Sequence, residues 1–118
     1  MAWEFNSREA IFLQLASKLR FDIVFGKYAP DTQFPSVRQL AEEAGVNPNT
    51  VQKALASIEE EGLLYTHTTV GRFVTPNENL IGETKERMRR QAVRGLVSEA
   101  ERLGISKEEM IAYIKEEI

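Results

Sequence analysis

Apolar positions along the chain keep a helical period in some stretches and a strand period in others, and each change of period marks a part of the fold. Ile11, Phe12, Leu15, Ala16, Leu19, Ile23 and Val24 form one broad stripe, with Gln14, Lys18 and Asp22 off it. That pattern predicts a long amphipathic helix, a scaffold element packed on a core. Asn6 followed three residues later by Glu9 reads as a capping box opening this helix, and Gly26 as its end. A loop through Tyr28, Pro30 and Asp31 follows. Gln33 and Phe34 then read as a single strand rung.

From Phe34 to Ile58 the pattern predicts two short helices joined at Gly45. Ser36 can cap the first, with Gln39 three residues on as its capping-box partner. Val37, Leu40 and Ala41 give it an apolar face. Gly45 supplies a positive φ that ends it. Asn47 caps the second, and Pro48 takes its first position, where a missing N–H costs nothing. Val51, Ala54, Leu55 and Ile58 form its buried stripe. Its other face shows Asn49, Thr50, Gln52, Lys53 and Ser57: polar donors and acceptors, one cation, no acid. A helix–turn–helix with such a second helix suits a DNA major groove.

Glu59, Glu60 and Glu61 oppose the dipole of that helix at its end and read as a solvated end held by tertiary context. Residues 63–68 and 72–75 are rich in β-branched and aromatic residues and predict a hairpin turning through Thr69, Val70 and Gly71. A hairpin directly after a recognition helix is a wing. Pro76 breaks the pattern, so we expect a first domain over 1–75 and a tail over 76–118. The tail reads as two helices. The first runs from about 80 to 103 with Ile81, Met88, Ala92, Leu96, Ala100 and Leu103 apolar and a basic early half. Ser106 and Glu109 box the second, which carries Met110, Ile111, Ile114 and Ile118. Two helices cannot enclose a core of their own. Their apolar faces need a partner, and the simplest is the same segment of a second chain. Met88, Ala92, Leu96, Leu103, Ile111 and Ile114 are the candidate dimerisation residues. The fold class expected is mainly α with a small β-hairpin: a winged helix–turn–helix plus two C-terminal helices.

Composition removes other functions more than it adds. With no cysteine and one histidine in 118 residues, there is little from which to build a metal site or a catalytic triad. We expect no enzyme activity and no cofactor. No apolar run is long enough to span a membrane, and the N-terminus lacks the pattern of a signal peptide, so a cytoplasmic location is expected. The net charge of −3 argues mildly against nucleic acid. Its distribution matters more: residues 33–57 hold two cations, Arg38 and Lys53, against two acids, Glu42 and Glu43. The acids sit late in their helix and can point away from DNA.

Individual side chains then become candidate DNA contacts. Arg38 stands in the first turn of its helix, where a cation is locally unfavourable. A phosphate contact explains it better than a plain surface arginine. Asn49 can read adenine, and Thr50 can bond phosphate or pack on a thymine methyl. Ser36 caps its helix, and the exposed turn around it suits a phosphate. Asn47 is a cap and a candidate base contact. Lys53 is a phosphate contact or a solvated lysine. The acidic charge balance leaves a second reading open, a winged-helix protein-interaction module that does not bind DNA. An acid-free polar face without an aromatic or aliphatic anchor speaks against it.

The runs Phe34-Pro-Ser-Val-Arg-Gln-Leu-Ala, Gly45-Val-Asn-Pro-Asn-Thr-Val-Gln-Lys-Ala-Leu and Glu59-Glu-Glu-Gly-Leu-Leu-Tyr, with Gly71-Arg-Phe-Val at the wing, resemble the DNA-binding domain of the GntR family of bacterial transcription regulators. The likeness spans about residues 7–75. The short tail, with Leu103-Gly-Ile-Ser-Lys-Glu-Glu-Met, is similar to that of the YtrA-type subfamily, where it is a dimerisation element. The resemblance implies a sequence-specific regulator, a repressor, that binds a pseudo-palindromic double-stranded operator as a homodimer. It implies a phosphate or guanine contact for Arg38. It implies recognition positions at Asn47, Asn49 and Thr50, with Lys53 one turn further, and a wing-tip glycine at Gly71. Where the family commonly has Gly-x-Gly, the first glycine is Thr69 here, and Thr66, His67 and Thr68 replace residues that are often basic. The tail has no room for the metabolite-binding domain of larger members, so any effector would use the dimer interface.

Overall fold

The computed structural model describes residues 2–118 and orders them as α1 (Ile11–Val24), α2 (Val37–Ala44), α3 (Pro48–Glu60), β1 (Leu64–His67), β2 (Gly71–Val74), α4 (Glu78–Arg102) and α5 (Lys107–Glu117). The fold is mainly helical with one antiparallel hairpin. Two compact units divide between Thr84 and Lys85, within α4, so the first turns of that helix pack with the first unit.

In the first unit α1 and α2 both pack on α3, and α3 also meets β1. Leu15, Leu19, Leu40, Val51, Leu55, Ile58 and Leu63 are fully buried there. Each such side chain contributes about 1.5–3 kcal/mol over its exposed state. α1 does not begin as its sequence suggests. It starts at Ile11 with Ala10 as a cap that offers no side chain. The Asn6–Glu9 box does not form. Asn6 Oδ1 instead accepts the Arg8 N–H at 3.0 Å, and Gln14 reaches back, its amide nitrogen donating to the carbonyls of Asn6 and Glu9. A residue inside the helix therefore ties the incoming chain, a job the local spacing assigned to Glu9.

The helix–turn–helix follows its caps. Ser36 and Gln39 form the reciprocal box on α2, and Asn47 caps α3 with Pro48 in its first turn. Gly45 ends α2 at φ +70°, and Ala2 lies so close that a Cβ added at Gly45 would come within 2.7 Å of the Ala2 Cβ. The glycine is needed for its dihedral and for this approach of the N-terminal segment, whose Trp3 N–H donates to the Ala44 carbonyl at 3.2 Å.

The acids at the end of α3 are not simply solvated. Glu61 takes a two-pronged ion pair from Arg20 of α1 at 2.7 and 2.6 Å. Glu59 accepts from the Thr66 hydroxyl and lies 3.9 Å from the Arg72 guanidinium. The end of the recognition helix is thereby bolted to α1 on one side and to the wing on the other. The hairpin pairs Leu64 with Val74, Tyr65 with Phe73, Thr66 with Arg72 and His67 with Gly71. Gln33 bridges to Phe73 as the expected extra rung.

In the second unit, Gly104 ends the helix before α5 and Ser106 with Glu109 forms the expected box. Of its apolar residues only Ala100 is buried. Leu96, Ala100, Leu103, Met110, Tyr113 and Ile114 line an apolar groove of about 330 Å³.

Candidate nucleic-acid interface

Two hollows organise the exposed side of the helix–turn–helix. One, of about 340 Å³, is lined by Ile11, Phe12, Asn49, Thr50 and Lys53. It joins three of the expected contact residues at the start of α3. The Lys53 ammonium sits 4.2 Å from the centre of the Phe12 ring. Lys53 is therefore neither a bare solvated lysine nor committed elsewhere. A cation–π contact at an exposed site is worth about 0.5–1 kcal/mol, which orients the ammonium and leaves its charge outward. Asn49 is exposed and unburdened at its side chain. Asn47 is less free: its Oδ1 accepts the Asn49 N–H at 2.8 Å, which fixes the oxygen at the cap and leaves the amide nitrogen as the end free to turn to a base.

The second hollow, of about 420 Å³, lies between α2 and the wing, with Gln33, Ser36, Gln39, Gly71 and Arg72 among its walls. Ser36 Oγ accepts the Gln39 N–H at 3.1 Å, so its hydroxyl hydrogen is available to an anion. Tyr28 also borders this hollow. Burial, then the Asp22 and Glu43 carboxylates, push its phenol above the ordinary 10.0, so it stays a neutral donor.

The wing tip turns through a threonine in a glycine-like conformation. Thr69 adopts φ +80°, in the left-handed region where a glycine is at ease. For a β-branched residue this strain is on the order of 1–3 kcal/mol. Two bonds fix the turn around it. The Val70 N–H donates to His67 at 3.1 Å, and the Gln33 amide donates to the Val70 carbonyl at 3.0 Å. Gln33 thus positions the wing tip from the loop before α2.

Arg38 stands outside both hollows, with its side chain 90% exposed and 3.4 Å from Glu42. Glu42 lies one turn on, on the same face of α2 as Arg38. An exposed i, i+4 pair contributes only about 0.3–0.5 kcal/mol, so a phosphate can displace it. Neither hollow is lined by Asn47 or Thr69.

Three residues of this surface escape a reading of spacing: Phe12, Gln33 and Arg72. Phe12 sits on a core stripe, and only packing reveals its edge on the interface. Arg72 lies 20 residues beyond Gln52, to which it donates at 3.2 Å. Its Nε is buried without a hydrogen-bond partner.

The sequence pattern of the bacterial regulatory proteins of the gntR family matches residues 12–74. The chain belongs to the GntR family. Among its relatives is the uncharacterised HTH-type transcriptional regulator YhcF of Bacillus subtilis, 33% identical over 95% of this chain and 93% of the relative. The HTH-type transcriptional repressor YtrA of the same organism is 31% identical over 94% of this chain and 86% of its own. A GntR family transcriptional regulator from Listeria monocytogenes superposes with a TM-score of 0.88 at 33% identity, over 95% of this chain and 98% of that one. Members of the family are DNA-binding transcriptional regulators and not enzymes. Among the described residues no helix is long and apolar enough to cross a membrane.

Proposed function

We propose that the chain is a repressor that binds a pseudo-palindromic operator as a homodimer. α3 of each copy enters a major groove, with half-sites spaced about one helical turn, roughly 34–36 Å, apart. Asn49 and Thr50 read bases. Arg38, Ser36, Lys53 and the wing around Thr69 and Gly71 fix the register on the backbone, and Asn47 adds a donor beside them. The observation that carries this reading is the exposed face of α3. From Asn49 to Ser57 it is polar and free of acids, flanked by an oriented lysine on one side and an arginine-bearing wing on the other. Paired copies follow from the exposed stripe of the tail, with Met88, Ala92, Leu96, Leu103, Ile111 and Ile114 as the self-association surface. The similarity to a named repressor over nearly the whole chain supports the sign of regulation.

A salt-dependent gel shift on the DNA upstream of its own coding region, against random competitor, tests the proposal. Preference for the upstream DNA is expected. Arg38→Ala should weaken binding to all sequences and lower the salt slope by about one unit. No preference over random DNA overturns specific binding, and unchanged affinity in Arg38→Ala removes its phosphate role.

A further inference from the structure

We propose that Arg72 of the wing is a positioning residue that sets how Gln52 reads DNA, restricting one position of each half-site to guanine or thymine. The inference rests on the DNA-binding reading above. Arg72 stands in β2 opposite Thr66, with its side chain only 22% exposed. Its Nη2 donates to Gln52 Oε1 at 3.2 Å. Glu59 Oε2 lies 3.9 Å from its Nε, and the other Glu59 oxygen is held by the Thr66 hydroxyl. The guanidinium is therefore confined at the root of the wing by a carboxylate that is itself confined.

A guanidinium has donors and no acceptor. Gln52 must turn its amide oxygen to Arg72, which leaves the amide nitrogen and its two hydrogens for another partner. Gln52 is exposed and lies one turn from Asn49 on the recognition face. A free glutamine offers both a donor and an acceptor, which is why it pairs with adenine through two bonds. Held by Arg72 it has one lone pair of its oxygen committed and the oxygen drawn toward the wing, so its N–H groups are the end turned to the groove. In the major groove guanine presents N7 and O6 and thymine presents O4, all acceptors. Cytosine presents an amino group, a donor against a donor, and adenine offers only N7, with its neighbouring amino group left without the acceptor that a free glutamine supplies. The positive charge on Arg72 also polarises the amide and strengthens its N–H groups. The wing thus takes part in base reading without touching a base, by choosing which end of Gln52 faces the groove.

The test is binding-site selection from a randomised duplex library with the full chain and with Gln52→Ala, Arg72→Met and Arg72→Lys. Affinities for the four bases are then measured at the position that Gln52→Ala makes indifferent. The unsubstituted chain should favour guanine or thymine there by about fivefold to tenfold. Arg72→Met keeps the apolar stem and loses the donors, so adenine should be admitted to within about twofold at that position alone. Arg72→Lys, still a donor, should restore the preference. A purely structural role would weaken all positions together and overturns the proposal. So do an adenine preference in the unsubstituted chain, a preference that persists in Arg72→Met, and a Gln52→Ala selection in which no position changes. A library from which the unsubstituted chain selects no motif overturns the DNA-binding reading itself.

Discussion

Leu15, Leu19, Leu40, Leu55 and Ile58 of the first unit are each 0% exposed, whereas in the second Leu96 is 49%, Leu103 60% and Ile114 38% exposed. Both sets recur at the same helical spacing. The difference lies in what each stripe meets. α1 and α2 both pack on α3 and close a core, joined by Leu63 and by Leu64 and Val74 of the hairpin. The second unit has the end of one helix and a short second one, and two helices have no third wall. An amphipathic stripe states that a face will be covered. Whether its cover comes from the same chain is a matter of how many elements are at hand. A monomeric soluble protein seldom leaves a large apolar patch open, which is why this groove reads as an interface.

The strongest way to break this comparison is to cut a cavity in the closed core. Leu55→Ala should lower the unfolding free energy by about 2–5 kcal/mol, read from the shift in denaturant midpoint. A loss no larger than that of an exposed leucine would mean that the first unit is no better closed than the second. A charge on the open stripe should act in the other currency, association. Leu103→Glu should leave the unfolding of the first unit within about 0.5 kcal/mol of the parent. It should raise the dissociation constant of self-association by at least about tenfold, roughly 1.4 kcal/mol, in sedimentation equilibrium. Unchanged association would move the dimer interface off this face.

The smallest effect sharpens the comparison at the start of α5. Bonds from the Ser106 backbone and side chain hold the Glu109 carboxyl below the ordinary 4.5. A depressed pKa means that the box stabilises the helix above that ordinary value and is lost as pH falls through the lower, folded one. Protection factors in the first turn of α5, taken against intrinsic exchange at each pH, should therefore fall at acid pH, while those in the core of the first unit are unchanged over the same range. An equal fall in both units would show that α5 owes little to its cap.

Much of this was legible where the determinants are local. The boxes at Ser36–Gln39 and Ser106–Glu109 and the cap at Asn47 each join residues at most three positions apart. Spacing alone therefore places them. Gly45 was legible as a helix end, though not as a seat for Ala2. The start of α1 was misread because Gln14, inside the helix, competes better for the incoming backbone than Glu9 does. The exposed polar face of α3 was legible because a helix shows its unburied residues in register. Its neighbours were not. Phe12 under Lys53, Gln33 on the wing tip and Arg72 on Gln52 join positions 20 to 41 residues apart.

By itself, then, the sequence determined the helices, the caps of α2, α3 and α5, the hairpin and the polar exposed side of α3, because periodicity and capping act within a few residues. Tertiary structure decided the rest. It tied the recognition helix to α1 through Arg20 and Glu61, and to the wing through Arg72. It turned Glu42 toward Arg38, and it held Thr69 in a glycine's conformation. Apart from Arg38 and Glu42, one helical turn apart, each pairing joins groups whose separation along the chain carries no pattern, so only the packed chain brings them together.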